Sequence, residues 1–266
     1  MKLRYNGALI HFESKGEGDA LVLLHGFTET SGIWHAFKEN LSGKFHVITI
    51  DLPGHGESEN IGSVHPMEVM ADLVKAVLEE LSVEQAVLVG HSMGGYVSLA
   101  FAKKFPGNIK GLGLFHSSSL ADNEEARENR DKAIEVIKND HKDFLFKFIP
   151  DLFAPENRTK FNADIEQLVE TAKKMSPKAL IAAMEGMKIR SSTLDVLINA
   201  TFPVMFIAGQ KDTRVPFENI WVQMALTEVA YSLILKNVGH MGYLEARDQT
   251  LGFVQSFAEA CYGISR

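Results

Sequence analysis

Ser92 is the residue in this chain best placed to do chemistry. It lies in Gly90-His91-Ser92-Met93-Gly94, just after the apolar run Ala86-Val87-Leu88-Val89 and just before a helical pattern that puts Val97, Ala100, Phe101 and Phe105 on one face. A G-x-S-x-G segment between a strand and a helix is the pattern of a nucleophile elbow. A serine at the tip of so sharp a turn takes a strained backbone conformation, and side chains two residues to either side would collide. Gly90 and Gly94 remove those side chains, and Gly95 lets the helix approach the sheet. The hydroxyl then stands over a helix N-terminus, where backbone N–H groups and the dipole favour developing negative charge. A glycine-rich turn with an incidental serine would look the same, so the remaining parts of a hydrolase must be found elsewhere.

A serine hydroxyl is a weak nucleophile at neutral pH and needs a base to take its proton. The chain has ten histidines. His11, His46 and His141 fall inside strand or helix patterns and read as surface or packing residues. His91 adjoins the serine, but the turn should aim the two side chains apart. His55 and His65 are loop residues with no evident acidic partner. His240 follows the last strand pattern by a short loop containing Gly239, which puts it at the carboxyl edge of a sheet. A base of this kind needs a carboxylate to fix its tautomer and stabilise the imidazolium. Asp212 follows the preceding strand pattern by one turn, where it also suits an Asp-type turn. The strand after the elbow ends in His116-Ser117-Ser118 and offers no acid.

To bring these side chains together, the chain must form a parallel sheet. Ala20–Leu24, His46–Ile50, Ala86–Val89, Ile109–Phe115, Pro203–Gly209 and Tyr231–Leu235 read as strands, with helical patterns between most of them. Residues 2–14 alternate around Asn6-Gly7 as a hairpin. Such alternation predicts a mainly parallel, doubly wound sheet, whose sites gather outside the carboxyl ends of the strands. Phe27, Ser92, His116, Asp212 and His240 all fall at or just after such ends. Residues 121–190 are instead charged and helical, with an apolar cluster from Phe144 to Phe153. They read as a helical cap inserted over the strand ends, dividing the chain into a core of 1–118 and 197–266 and a cap of 119–196. A minority of the cap's phenylalanines are expected to line a pocket.

At 266 residues, 45% hydrophobic and 23% charged, the composition is that of a soluble globular protein with a sizeable core. A formal net charge of −7 argues against nucleic acid or an anionic membrane as the main partner. The single cysteine, Cys261, reads as a packed thiol and fits a reducing compartment. No apolar run approaches the ~20 residues that span a bilayer, and the first residues show no secretory signal. A cytoplasmic protein, monomeric or homodimeric and acting on a small molecule, is the expectation.

The segments His25-Gly26-Phe27, Asp51-Leu52-Pro53-Gly54-His55-Gly56-Glu57-Ser58, Gly90-His91-Ser92-Met93-Gly94-Gly95, Gly209-Gln210-Lys211-Asp212-Thr213-Arg214-Val215-Pro216 and Gly239-His240, in this order, resemble the α/β-hydrolase fold superfamily. The resemblance covers nearly the whole chain and is weakest across the cap. It implies Ser92 as nucleophile, Asp212 as orienting carboxylate and His240 as base, with an oxyanion hole from the backbone N–H groups of Phe27 and Met93. It implies no cofactor and no metal, and it makes the Asp51–Ser58 loop a structural turn. Dehalogenases and epoxide hydrolases of this fold carry aspartate at the nucleophile position. Prolyl aminopeptidases usually carry tryptophan where Met93 stands. Carbon–carbon bond hydrolases usually have asparagine where His91 stands, and the menaquinone-pathway synthase tends to have arginine where Tyr96 stands. Both of these last activities are alternatives to the main reading, hydrolysis of carboxylic esters, thioesters or lactones. A ligand receptor without catalysis is a further alternative, although such proteins often lose a member of the site. The phenylalanine-rich cap and the scarcity of basic residues near the motifs favour a small or medium, uncharged and partly apolar substrate.

Overall fold

A computed structural model describes residues 1–264. Strands β1 (Lys2–Tyr5) and β2 (Ala8–Lys15) form the hairpin, paired antiparallel across Asn6-Gly7. Both turn residues have positive φ (48° and 86°), as a two-residue turn matched to the twist of its strands requires. With β3 (Ala20–Leu24), β4 (His46–Ile50), β5 (Ala86–His91), β6 (Ile109–Phe115), β7 (Val204–Gly209) and β8 (Ala230–Leu235) they make one sheet in the order β1-β2-β4-β3-β5-β6-β7-β8. The pairs from β4 through β8 are all parallel. Because β3 lies between β4 and β5, the chain winds away from it in both directions, and a crevice opens at the carboxyl ends beside it. Every residue of β3, β5 and β7 is buried. That is why these strands read as continuous apolar runs and not as alternations.

Helix α1 (His35–Leu41) packs on β4; α2 (Met67–Glu80) and α3 (Met93–Lys104) lie side by side, with α3 along β5 and β6. Between β6 and β7 the chain leaves the sheet for α4 (Glu124–Phe148), α5 (Asn162–Ala172), α6 (Pro177–Ile189) and α7 (Leu194–Ile198). Helix α4 starts in the acidic stretch Asp122-Asn123-Glu124-Glu125, capped by Asn123 Oδ1 on the Ala126 N–H. It kinks at Asp140, whose carboxylate accepts the N–H groups of Lys142 and Asp143 and so caps the second half. In α6, Ser176 caps Ala179 and Pro177 takes the first position, where its missing N–H costs nothing. After β7 come α8 (Phe217–Met224), the short α9 (Gly242–Glu245) and α10 (Arg247–Cys261), the last packed on β5, β6 and β8. The Cys261 thiol fills the space beside Gly111, and burial pushes its pKa up to about 12, which disfavours the thiolate. No helix among the described residues is long and apolar enough to cross a membrane.

The inserted helices are pinned to the core by backbone. The His65 N–H donates to the Ala182 carbonyl on α6 (2.9 Å), and a Cβ at Gly186 would stand 1.8 Å from the His65 carbonyl oxygen. Backbone at such a contact cannot yield as a flexible side chain would. Gly186→Ala should therefore lose about 1–3 kcal/mol to overpacking despite its better helix propensity. Gly252→Ala on α10, where nothing lies within 4 Å, should gain up to about 1 kcal/mol. Urea midpoints check both, and a rise for Gly186→Ala would mean that α6 is not seated on this loop.

Candidate active site

Ser92 alone makes the turn between β5 and α3, with φ 49° and ψ −113°. That conformation is unfavourable for a residue with a Cβ, so the surroundings must hold it. The Ser92 N–H donates to the Phe115 carbonyl (2.9 Å), and the Ser92 carbonyl accepts from the Gly95 N–H (2.9 Å) and the Ser117 hydroxyl (2.8 Å). A Cβ at Gly90 would lie 2.2 Å from the Gly94 carbonyl, and one at Gly94 would lie 2.4 Å from that of Leu24. At Gly95 it would meet Ser117 Oγ at 2.3 Å. All three positions therefore need glycine: Gly90 for the collision across the turn that its spacing suggested, Gly94 because the end of β3 lies against it, and Gly95 because Ser117 does. The Met93 N–H is the first of α3 and by helix geometry has no acceptor within it. The loop carrying Phe27 comes close enough that a Cβ on Gly26 would stand 3.2 Å from Ser92 Cβ.

Asp212 and His240 leave the ends of β7 and β8, adjacent parallel strands. His240 Nδ1 donates to Asp212 Oδ2 at 2.8 Å. Asp212 Oδ1 accepts the N–H groups of Arg214 (2.8 Å) and Val215 (3.0 Å), so the same side chain also shapes its own turn. Oδ2 has a second donor that the sequence did not suggest: His116 Nδ1, at 3.0 Å. Sequence reading looked to the end of β6 for an acid, and the structure puts a second imidazole for Asp212 there. The only signal was its place at a carboxyl edge next to β7. Burial alone would raise the Asp212 pKa. The electrostatic attraction of His240 and the hydrogen bonds from both imidazoles outweigh it and hold the carboxyl well below its usual range. His116 is driven by burial down to about 4, and its Nε2 has no partner among the described residues. Ligand-type atoms of His116, Asp212 and His240 lie within 4.8 Å of one another. Both Nδ1 atoms carry the protons that bind the carboxylate, so in this state they are not free to ligate a metal. The pair Asp212–His240 can hold an imidazole ready to accept a proton from a hydroxyl.

A second buried pair lies beside it. His91 does turn away from the hydroxyl: Nδ1 binds Glu29 Oε2 and Nε2 binds the His240 carbonyl, both at 2.9 Å. A carbonyl and an ionised carboxylate only accept, so both ring nitrogens carry protons and His91 is an imidazolium. Burial pushes its pKa down, but Glu29 and the His240 carbonyl more than offset this and raise it. Glu29 also accepts from the Gly26 N–H (2.6 Å) and the Tyr243 hydroxyl (3.0 Å). The pair ties the loop after β3 to the loop after β8. In the sequence, Thr28-Glu29-Thr30-Ser31 reads only as a polar lead into a helix.

Ser92, His240, Phe27 and Tyr96 face a cavity of about 710 Å³, whose opposite wall comes from the inserted helices through Phe144, Phe148, Leu152, Met184 and Met187. Of the phenylalanine cluster, Phe144 and Phe148 reach the cavity, Phe153 is buried away from it and Phe146 is exposed. Arg130, Arg190 and Arg214 line the cavity as well, so basic residues are not scarce on its wall. They come from positions far from the serine in sequence. The His240 N–H donates to the Leu152 carbonyl (2.7 Å), which joins the histidine loop to the insertion.

Residues 19–156 match the family model described as alpha/beta hydrolase fold. The chain is 28% identical over 260 residues to a pimeloyl-[acyl-carrier protein] methyl ester esterase of Nitrosomonas europaea, covering 94% of this chain and 98% of that protein. It is 29% identical over 255 residues to the dihydrolipoyllysine-residue acetyltransferase component of an acetoin cleaving system in Pseudomonas putida, covering 93% of this chain but 66% of that protein. A thermophilic esterase from Thermogutta terrifontis superposes with a TM-score of 0.90 at 29% identity, over 96% of this chain and 94% of that one.

Acid should loosen this site before it unfolds on other grounds. Burial holds His55 near 3, and His65 and His116 near 4, whereas an unfolded histidine titrates near 6.5. Between those values the unfolded chain binds more protons than the folded one, so stability falls as pH drops from about 6 to about 4. The raised His91 stays protonated in both states across most of this range and acts instead on the alkaline side. The urea midpoint should fall steadily over the window, and more gently in His116→Asn. A flat midpoint would mean that these imidazoles are not held neutral.

Proposed function

The chain belongs to the alpha/beta hydrolase fold family, and from that premise we propose that it is a serine hydrolase cleaving carboxylic esters, thioesters or lactones through an acyl-enzyme on Ser92. The observation that carries this reading is the 2.8 Å bond from His240 to the buried Asp212 carboxylate, with His240 and the strained Ser92 facing one cavity. The relatives named as esterases support the same class of reaction.

In this mechanism His240 takes the Ser92 proton as Oγ attacks the carbonyl carbon. Asp212 keeps the imidazole in the tautomer that has its free nitrogen toward the serine and stabilises the imidazolium that forms. The oxyanion is received by the N–H groups of Phe27 and Met93; one such donor is typically worth about 10²–10³ in turnover. The imidazolium then protonates the leaving group, and the released His240 activates a water that frees the acid. Residues 119–196 act as a cap closing the cavity, and their apolar side chains suit a small or medium, partly apolar substrate.

Ser92→Ala should lower kcat for p-nitrophenyl butyrate by about 10⁴–10⁶ with the circular dichroism unchanged, and Asp212→Asn by about 10⁴. A fluorophosphonate probe should label the wild type and not Ser92→Ala. Turnover surviving in Ser92→Ala, or a folded wild type that the probe leaves unlabelled, would overturn the nucleophile assignment.

A further inference from the structure

We propose that the cavity takes esters whose far end carries an anionic group, a carboxylate or a phosphate, and that Arg214 is the residue that binds it. This rests on the ester-hydrolase reading and adds the substrate class. Arg214 is fixed relative to the site because its backbone N–H is held by Asp212 Oδ1 at 2.8 Å. Its guanidinium lies over the Phe148 ring, 4.7 Å from Cζ to the centroid. Phe148 in turn stacks on Phe144 (5.0 Å between centroids, 19° between planes) and meets the edge of Phe27 (5.9 Å). An arginine held over such a platform by a cation–π contact keeps N–H groups available for hydrogen bonding.

Those edges have no protein partner among the described residues. The carboxylates that act on Arg214 from nearby, Asp151 and Asp212, are both engaged. Asp151 pairs with Arg158 at 2.9 Å. Asp212 holds two imidazoles and two backbone N–H groups. The other two arginines of the wall are satisfied differently: Arg130 and Arg190 share the single carboxylate of Asp122, which leaves that cluster positive as well. Against them stands the exposed Glu125 on the first turn of α4. A planar guanidinium with unpaired donors on a cavity wall complements a two-oxygen anion, which it can bind through two parallel hydrogen bonds. Arg214 is exposed, so an anion bound there would take the place of water on those donors.

The test uses methyl half-esters of straight dicarboxylic acids, from succinate to suberate, each beside its neutral mono-amide of the same shape. At the best length, kcat/KM of the wild type should favour the acid over the amide by about 10- to 100-fold, the worth of a charge-assisted hydrogen bond. Arg214→Gln should bring that ratio close to one, and Arg214→Glu should reverse it. Calorimetry on Ser92→Ala, with and without Arg214→Gln, reads the same preference as binding and needs no turnover. A wild type with equal ratios in turnover and binding, or a preference that survives Arg214→Gln, would overturn the proposal. Arg214-dependent binding of the half-ester by a protein that hydrolyses neither compound would keep the anion site and sink the ester-hydrolase reading instead. Phosphate-ended esters in place of the half-esters show which oxyanion is preferred.

Discussion

A carboxylate taken out of water costs several kcal/mol unless donors replace its hydration, and the Asp212 carboxylate is almost wholly buried. Four donors replace the water: His240 and His116 on one oxygen, the N–H groups of Arg214 and Val215 on the other. These groups come from the ends of β6, β7 and β8, so the order of those three strands decides whether the charge can be accommodated at all. A shift of any one strand would leave a buried ion short of partners. The chemistry proposed for His240 depends on this arrangement, because a carboxylate already held by several donors stays ionised and can steady an imidazolium.

The His240 carbonyl extends the arrangement across the sheet. It accepts from His91, which is paired with Glu29, which in turn holds the Gly26 N–H and the Tyr243 hydroxyl. Two buried carboxylates, each hydrogen-bonded by imidazole, are therefore linked through one residue of the β8 loop. The strained backbone of Ser92 stands at the start of α3, against the loop after β3 that carries Glu29. Strain of this kind persists only where the surroundings over-determine it. Here three glycines and two carbonyl contacts do so.

The inserted helices line the cavity without adding a side chain to the Asp212–His240 pair. Through Gly186 and the His65 loop they are set against the core, and through the Leu152 carbonyl they hold the backbone of His240. Their side chains turn a crevice at the strand ends into a cavity with an aromatic floor and a charged wall. The Asp212–His240 pair is built from the ends of strands and much of the cavity wall from helices, and the two are joined where the Leu152 carbonyl holds His240 and where the Arg214 N–H holds Asp212.

Some of this was legible from residues alone. The G-x-S-x-G turn, the apolar strand runs, the Asn6-Gly7 hairpin and the placing of Asp212 and His240 just past strand ends depend on backbone sterics and on periodicity, which act over a few residues and so leave a local trace. Other features had no such trace. Glu29 meets His91 across 62 positions and His116 meets Asp212 across 96. The arginines of the cavity wall come from α4, from the end of α6 and from the loop after β7. No pattern in a linear chain marks a carboxylate that folding will bury or a guanidinium that it will leave unpaired. Burial and partnership are set by which surfaces meet, and only the packed sheet and its inserted helices decide that.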